Sequence, residues 1–157
     1  MMQLYPARAV EALEFNKISE LLKHKCRSDS ARERVASLRF HTRIDFIERS
    51  LKQTEEFRQV LVSNDHFPND FTRNLQKELK LLSVPGSVLA GEQLLAMQNL
   101  ALNTRDMLLW FKRHNDLYEH LRGLTEKVIY EKAITEIIGA VIDETGNVRD
   151  NASRELM

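Results

Sequence analysis

The side chains most able to do chemistry in this chain of 157 residues are one cysteine, five histidines and a few adjacent carboxylates. Cys26 sits in the run Lys23-His24-Lys25-Cys26-Arg27. Flanking cations favour the thiolate, the nucleophilic form. A catalytic cysteine also needs a base within reach, and His24, two positions away, lies on a different helix face. Cys26 therefore reads as a helix-end cysteine. His114 and His120 are six apart and do not share a face, while His41 and His66 fall in stretches that read as loops. These isolated histidines lack the convergent ligands of a metal site, and neither H-E-x-x-H nor C-x-x-C occurs. Glu55–Glu56 and Asp143–Glu144 are sequence neighbours, which diverge by about 100° around a helix and so form no acid/base pair. The five glycines are scattered and make no phosphate loop, so the chain alone is not expected to hydrolyse ATP. Trp110, in Leu108-Leu109-Trp110-Phe111-Lys112-Arg113, could stack on a base. Two aromatics beside a leucine pair fit a packing anchor better, with the cations suiting a helix C-terminus. No catalytic, cofactor-binding or metal-binding residue is assigned.

Apolar spacing predicts six or seven helices to position these groups. The first covers 8–25, with Leu13, Ile18, Leu21 and Leu22 as its stripe, Phe15 beside it and Pro6 near its start. The second covers 29–38, capped by Ser28 or Asp29 and facing inward through Ala31, Val35 and Leu38. The third has Thr42 as its cap, Asp45 at its third position, and Ile44, Ile47, Leu51, Thr54, Phe57 and Leu61 on one face. A loop at 64–70 carries Pro68 and would mark a subdomain break. A helix follows from 70 or 72 to 82 with Leu75, Leu79 and Leu82 inward. Val84-Pro85-Gly86-Ser87 fits a type II turn. The longest helix spans 91–114, and its broad apolar surface (Leu94, Leu95, Met97, Leu102, Leu108, Leu109, Phe111) suggests bundle packing. Asn115 or Asp116 caps a short helix with Leu117, Tyr118 and Leu121, ended by Gly123. The last full helix covers 130–144 through Ile134, Ile137, Ile138, Val141 and Ile142, with Gly146 as a left-handed cap and Val148 packing back. Residues 151–157 read as another helix beginning, so the chain is expected to be an excerpt of a longer protein.

Composition agrees with an all-α, multi-helix globular fold. The chain is 43% hydrophobic and 29% charged, with 5 Gly and 3 Pro. A chain of this size buries roughly 70% of its unfolded surface, enough to fold without disulfide or metal. One cysteine and no signal-peptide pattern suggest a cytoplasmic setting, and no apolar run is long enough to span a membrane. Lys plus Arg equals Asp plus Glu at 23 each, which argues against a dedicated nucleic-acid grip. The distribution is uneven. Residues 23–43 carry Lys23, Lys25, Arg27, Arg32, Arg34, Arg39 and Arg43 against Asp29 and Glu33, whereas 124–157 are mildly acidic. Solvated helix faces account for both.

Three stretches carry a resemblance. They are Ala12-Leu13-Glu14-Phe15-Asn16-Lys17-Ile18-Ser19-Glu20-Leu21-Leu22, Gly86-Ser87-Val88-Leu89-Ala90-Gly91-Glu92-Gln93-Leu94-Leu95, and Val141-Ile142-Asp143-Glu144-Thr145-Gly146-Asn147-Val148-Arg149-Asp150-Asn151-Ala152-Ser153-Arg154-Glu155-Leu156. In order and spacing they resemble the N-terminal region of the MutS-family branch that carries a C-terminal Smr nuclease. The resemblance spans nearly the whole chain. It departs at Ala90-Gly91, where the family's helix usually opens with a Ser-type cap; that weakens the cap by about 1 kcal/mol.

The resemblance implies a single helical core domain over 1–157, with a lever or clamp helix starting near 151–157. It implies an intact parent that is a homodimeric, DNA-binding ATPase using ATP and Mg. The parent would clamp branched DNA, and its Smr tail would act as an endonuclease, with links to recombination control and ribosome rescue. No family catalytic residue maps onto 1–157. The expectation is a non-catalytic scaffold whose partners are the rest of its own chain. The alternative is a self-contained helical module binding protein or nucleic acid.

Overall fold

The computed structural model describes residues 8–71 and 73–153. Among these the structure is all-α, with eight helices and, in place of a sheet, one isolated antiparallel bridge between Ile142 and Val148. Pro6, Thr72 and residues 154–157 of the helix expected over 151–157 lie outside the described residues, and 151–153 are turn and bend. By contact the chain divides into two units between Phe40 and His41. Residues 64–70, where the sequence suggests a break, lie inside the second unit.

The first unit has three helices: α1 (Ala9–Ala12), α2 (Phe15–Lys25) and α3 (Asp29–Ala36). The single helix expected over 8–25 is split. Glu14 takes a left-handed conformation, φ 52°, and its carboxylate bonds Lys17 Nζ at 2.6 Å. Ser28 caps α3 as expected, its Oγ accepting from the Ala31 N–H at 3.2 Å. The rings of Phe15 and Phe40 lie 5.3 Å apart. None of the helical residues of this unit is fully buried.

The second unit holds α4 (Ile44–Val62), α5 (Gln76–Leu82), α6 (Gly91–Arg113), α7 (Glu119–Arg122) and α8 (Lys132–Val141). Arg43, not Thr42, is the α4 cap residue, and it offers no side-chain cap bond; instead its guanidinium pairs with Asp45. The core is aromatic. Val60, Trp110, Phe111, Tyr118 and Leu121 cluster with Phe57 and Phe67 against them. Trp110 is wholly buried, stacked with Tyr118 at 5.2 Å and edge-on to Phe67 at 5.1 Å, an arrangement the ring quadrupoles favour. The anchor reading of Trp110 therefore holds.

α5 starts later than expected, at Gln76. Leu75 is buried, whereas Leu79 and Leu82 are half-exposed and Glu78 is buried. The type II turn is present, with the Ser87 N–H bonding the Val84 carbonyl at 3.2 Å and Gly86 at φ 79°. At the start of α6 the missing Ser cap is partly replaced by Gln93, whose Oε1 accepts from the Ala90 N–H at 2.9 Å.

α6 and α8 pack together, and Gln98 Nε2 donates to the Thr135 carbonyl at 3.2 Å. After α8 the chain doubles back. The Asp143 N–H bonds the Asn147 carbonyl at 2.8 Å and the Arg149 N–H bonds the Val141 carbonyl at 2.9 Å. Gly146 is left-handed, φ 86°, as expected, but it serves this reversal rather than capping α8. The α8 C-terminus is covered by Arg149, whose Nε donates to the Gly139 and Ile142 carbonyls at 3.0 and 2.8 Å. A cation there suits the helix dipole.

Candidate functional site

Of the histidines that look isolated in sequence, His66, His114 and His120 gain carboxylate partners in the fold. His120 is the second residue of the short α7, and Glu56 on α4 reaches it. Glu56 Oε1 lies 2.8 Å from His120 Nδ1 and accepts the His120 N–H at 3.1 Å, while its Oε2 accepts the Leu121 N–H at 2.8 Å. Burial pushes the Glu56 carboxyl up, but the Leu121 and His120 N–H groups and the His120 ring together outweigh it and hold it below its ordinary value. Gln53 Nε2 adds a bond to the His120 carbonyl at 3.1 Å. The sequence pointed to Asn115 or Asp116 as the α7 cap. The cap residue is Tyr118, and the first-turn donors are met by a carboxylate from another helix. Gly123 ends α7 as expected, in a right-handed conformation.

His120 also borders an open cavity of about 690 Å³ with Arg49, Ser50, Gln53, Glu119, Arg122 and Glu126. Its lining carries two arginines and two glutamates, so it has no strong preference for an anion. Ser50 donates its hydroxyl to the Phe46 carbonyl of its own helix, at 2.9 Å, which leaves it poorly placed as a nucleophile.

The second pair is His114 with Asp65, at 2.8 Å through Nε2. Asp65 also accepts the Trp110 indole N–H at 3.0 Å. The His114 Nδ1 lies 2.9 Å from the Trp110 carbonyl. Both ring nitrogens face protein oxygens, so neither is open to a substrate proton. Neither pair was visible in the sequence, because their members lie 49 and 64 residues apart.

Cys26 donates to the Leu22 carbonyl of its own helix at 3.2 Å, consistent with a helix-end cysteine. Glu55 and Glu56 diverge as expected. Glu55 is held at a pKa of about 2 by Arg58 and Gln59, and Glu56 goes to α7. Among the described residues no group of three or more His, Cys, Asp or Glu side chains converges. A methyl group on Gly91 would collide with the Gly146 carbonyl oxygen, so an acceptor already fills that space.

That contact joins two of the three family-like stretches, at Gly91 and Gly146. Comparisons with known proteins give the same relation. The chain is 29% identical over 151 residues to Endonuclease MutS2 of Clostridium perfringens strain 13, covering 95% of this chain and 19% of that protein. It is 26% identical over 145 residues to Endonuclease MutS2 of Aquifex aeolicus, covering 92% and 19%. It is 25% identical over 146 residues to that of Fusobacterium nucleatum, covering 92% and 18%. The chain thus spans about a fifth of the length of these relatives. No family model and no solved structure matches it. The resemblance carried by the three stretches stands: over nearly its whole length the chain is related by sequence to a segment of MutS2-type proteins.

Proposed function

We propose that this chain is a non-catalytic scaffold segment of a MutS2-type parent, holding helices in register so that movement in one part of the parent reaches another. The observation that carries this reading is the match along 95% of this chain to 19% of a MutS2 protein. The geometry supports it. The histidine–carboxylate pairs tie elements together, and α6 and α8 are pinned side by side with the Gly91–Gly146 contact at one end. In this reading the parent is a homodimeric ATPase that uses ATP and Mg, binds branched DNA and has endonuclease activity. All of that chemistry lies outside residues 1–157.

The test is made in the full-length parent. Ile138 is buried on α8, so Ile138→Asp places an unpaired charge in the core. Coupling between ATP and DNA binding should be lost, with the milder Ile138→Val retaining it. Unchanged ATP-dependent DNA binding in a folded Ile138→Asp parent would overturn the reading.

A second reading has one specific observation in its favour. Lys25, Arg34 and Arg39 in the first unit have no acidic partner among the described residues. If this unit grips phosphates, the isolated chain should bind structured nucleic acid with affinity falling steeply as salt rises. Absence of such binding at low salt removes this alternative.

A further inference from the structure

α4 carries apolar residues on two opposite sides. At about 100° per residue, Gln53, Glu56, Phe57 and Val60 share one face, and this face meets α7 and the aromatic core. Ile44, Ile47, Leu51 and Val62 share the other. That second stripe is open: Ile44 and Val62 are each 71% exposed and Leu51 64%. A helix on the surface of a fold needs one apolar stripe, facing inward. A second stripe on its back is a face that water solvates poorly and another helix can cover.

The charges along that stripe define what fits it. In chain order they are Glu48, Lys52, Glu55 and Arg58, alternating in sign and all exposed. Glu55 and Arg58 pair within the helix at 2.8 Å, whereas Glu48 and Lys52 have no ion pair among the described residues. Turned end for end, this alternation is its own complement. Two α4 helices laid antiparallel over their full length bring Ile44 against the second copy's Val62, Glu48 against its Arg58 and Lys52 beside its Glu55. Each contact occurs twice about a two-fold axis at the middle of the helix, with Leu51 about half a turn from it. A parallel pairing instead sets each charge against the same charge.

We propose that the outward face of α4 docks on the same face of a second copy of this chain, as an antiparallel helix pair. The apolar side chains supply the attraction by leaving water. The flanking charges stay wet, so they fix direction and partner more than strength. An unrelated apolar helix would gain the first effect and not the second. The pairing requires nothing outside residues 44–62, and it holds or fails whatever a longer parent does.

The experiment follows the whole chain by light scattering and sedimentation from about 1 to about 100 μM. A monomer–dimer equilibrium is expected across this interval. Leu51→Glu puts two carboxylates close to the axis and should raise the dissociation constant at least about tenfold. Helix content should not change, because Leu51 is exposed in the single copy. Glu48→Arg and Arg58→Glu each set like charges against one another and should each weaken the dimer. Both together exchange the signs and should recover most of what either loses. A chain that stays monomeric at about 100 μM leaves the face to another partner and overturns the proposal. So does a dimer that Leu51→Glu leaves unchanged, or a double variant that associates no more tightly than the single ones.

Discussion

Gly91, the first residue of α6, lies so close to the carbonyl of Gly146 that no side chain fits between them. The two residues are far apart in sequence, and each sits in a stretch that carries the family resemblance. Replacing Gly91 with alanine should force the 143–149 reversal away from α6. The expected loss is about 1–3 kcal/mol, the usual cost of overpacking, read by chemical denaturation. Gly86→Ala is the matched control. It has open space around it but a φ of 79°, so its cost should be about 1–2 kcal/mol of backbone conformation alone. A Gly91→Ala chain as stable as the parent sequence would show that the reversal is not seated on α6.

Trp110 anchors the aromatic core of the second unit. Trp110→Ala should destabilise the chain by about 3–5 kcal/mol. Trp110→Phe keeps a ring and removes the indole bond to Asp65, so its cost should be clearly smaller. Equal losses for the two changes would mean that the indole N–H, rather than packing, is the main contribution.

Glu56 should make the α4–α7 junction sensitive to acid. Its carboxyl lies below its ordinary value when folded, so it holds a proton less readily there than in the unfolded chain. The associated stability is present above the unfolded value and is lost as pH falls through the folded one. Glu56→Gln should cost about 1–3 kcal/mol near neutrality, because two N–H groups lose a charged acceptor. The same change should flatten the fall in stability on the acid side. Parallel pH–stability curves for the two proteins would count against this role.

Asp143 organises the reversal itself. Its Oδ1 accepts from Thr145 Oγ1, Thr145 N–H and Asn147 N–H at 2.7, 2.8 and 2.9 Å. The Thr145 hydroxyl foremost, with the two N–H groups, holds its carboxyl below the ordinary value. Asp143→Ala should raise hydrogen exchange at Thr145 and Asn147 while leaving the middle of α6 protected. Unchanged exchange at both residues would show that the backbone alone fixes the turn.

Periodicity made the helices legible, because an amphipathic stripe records which face of a helix is apolar. It does not record what covers that face. On α4 the expected inward residues Ile44, Leu51 and Leu61 are exposed, while Phe57 and Val60 meet the core. The break at Glu14 was hidden for a related reason: the apolar spacing continues across it, and only the backbone angle departs. Local cap chemistry identified Ser28 correctly, since its acceptor and donor are three residues apart. It failed at α7, whose donors are met from α4. The histidine pairs were illegible on the same ground, since spacing along a chain carries no distance across a fold.

The Gly91–Gly146 contact turns residues 91–146 into a closed circuit, with α6 running out and α8 leading back to the starting point. Tension applied to the chain beyond residue 150 meets Arg149, clasped to the end of α8, and then the backbone seated on the first turn of α6. Because one turn is tied to both helices, freeing it should loosen the end of α8 and the start of α6 together.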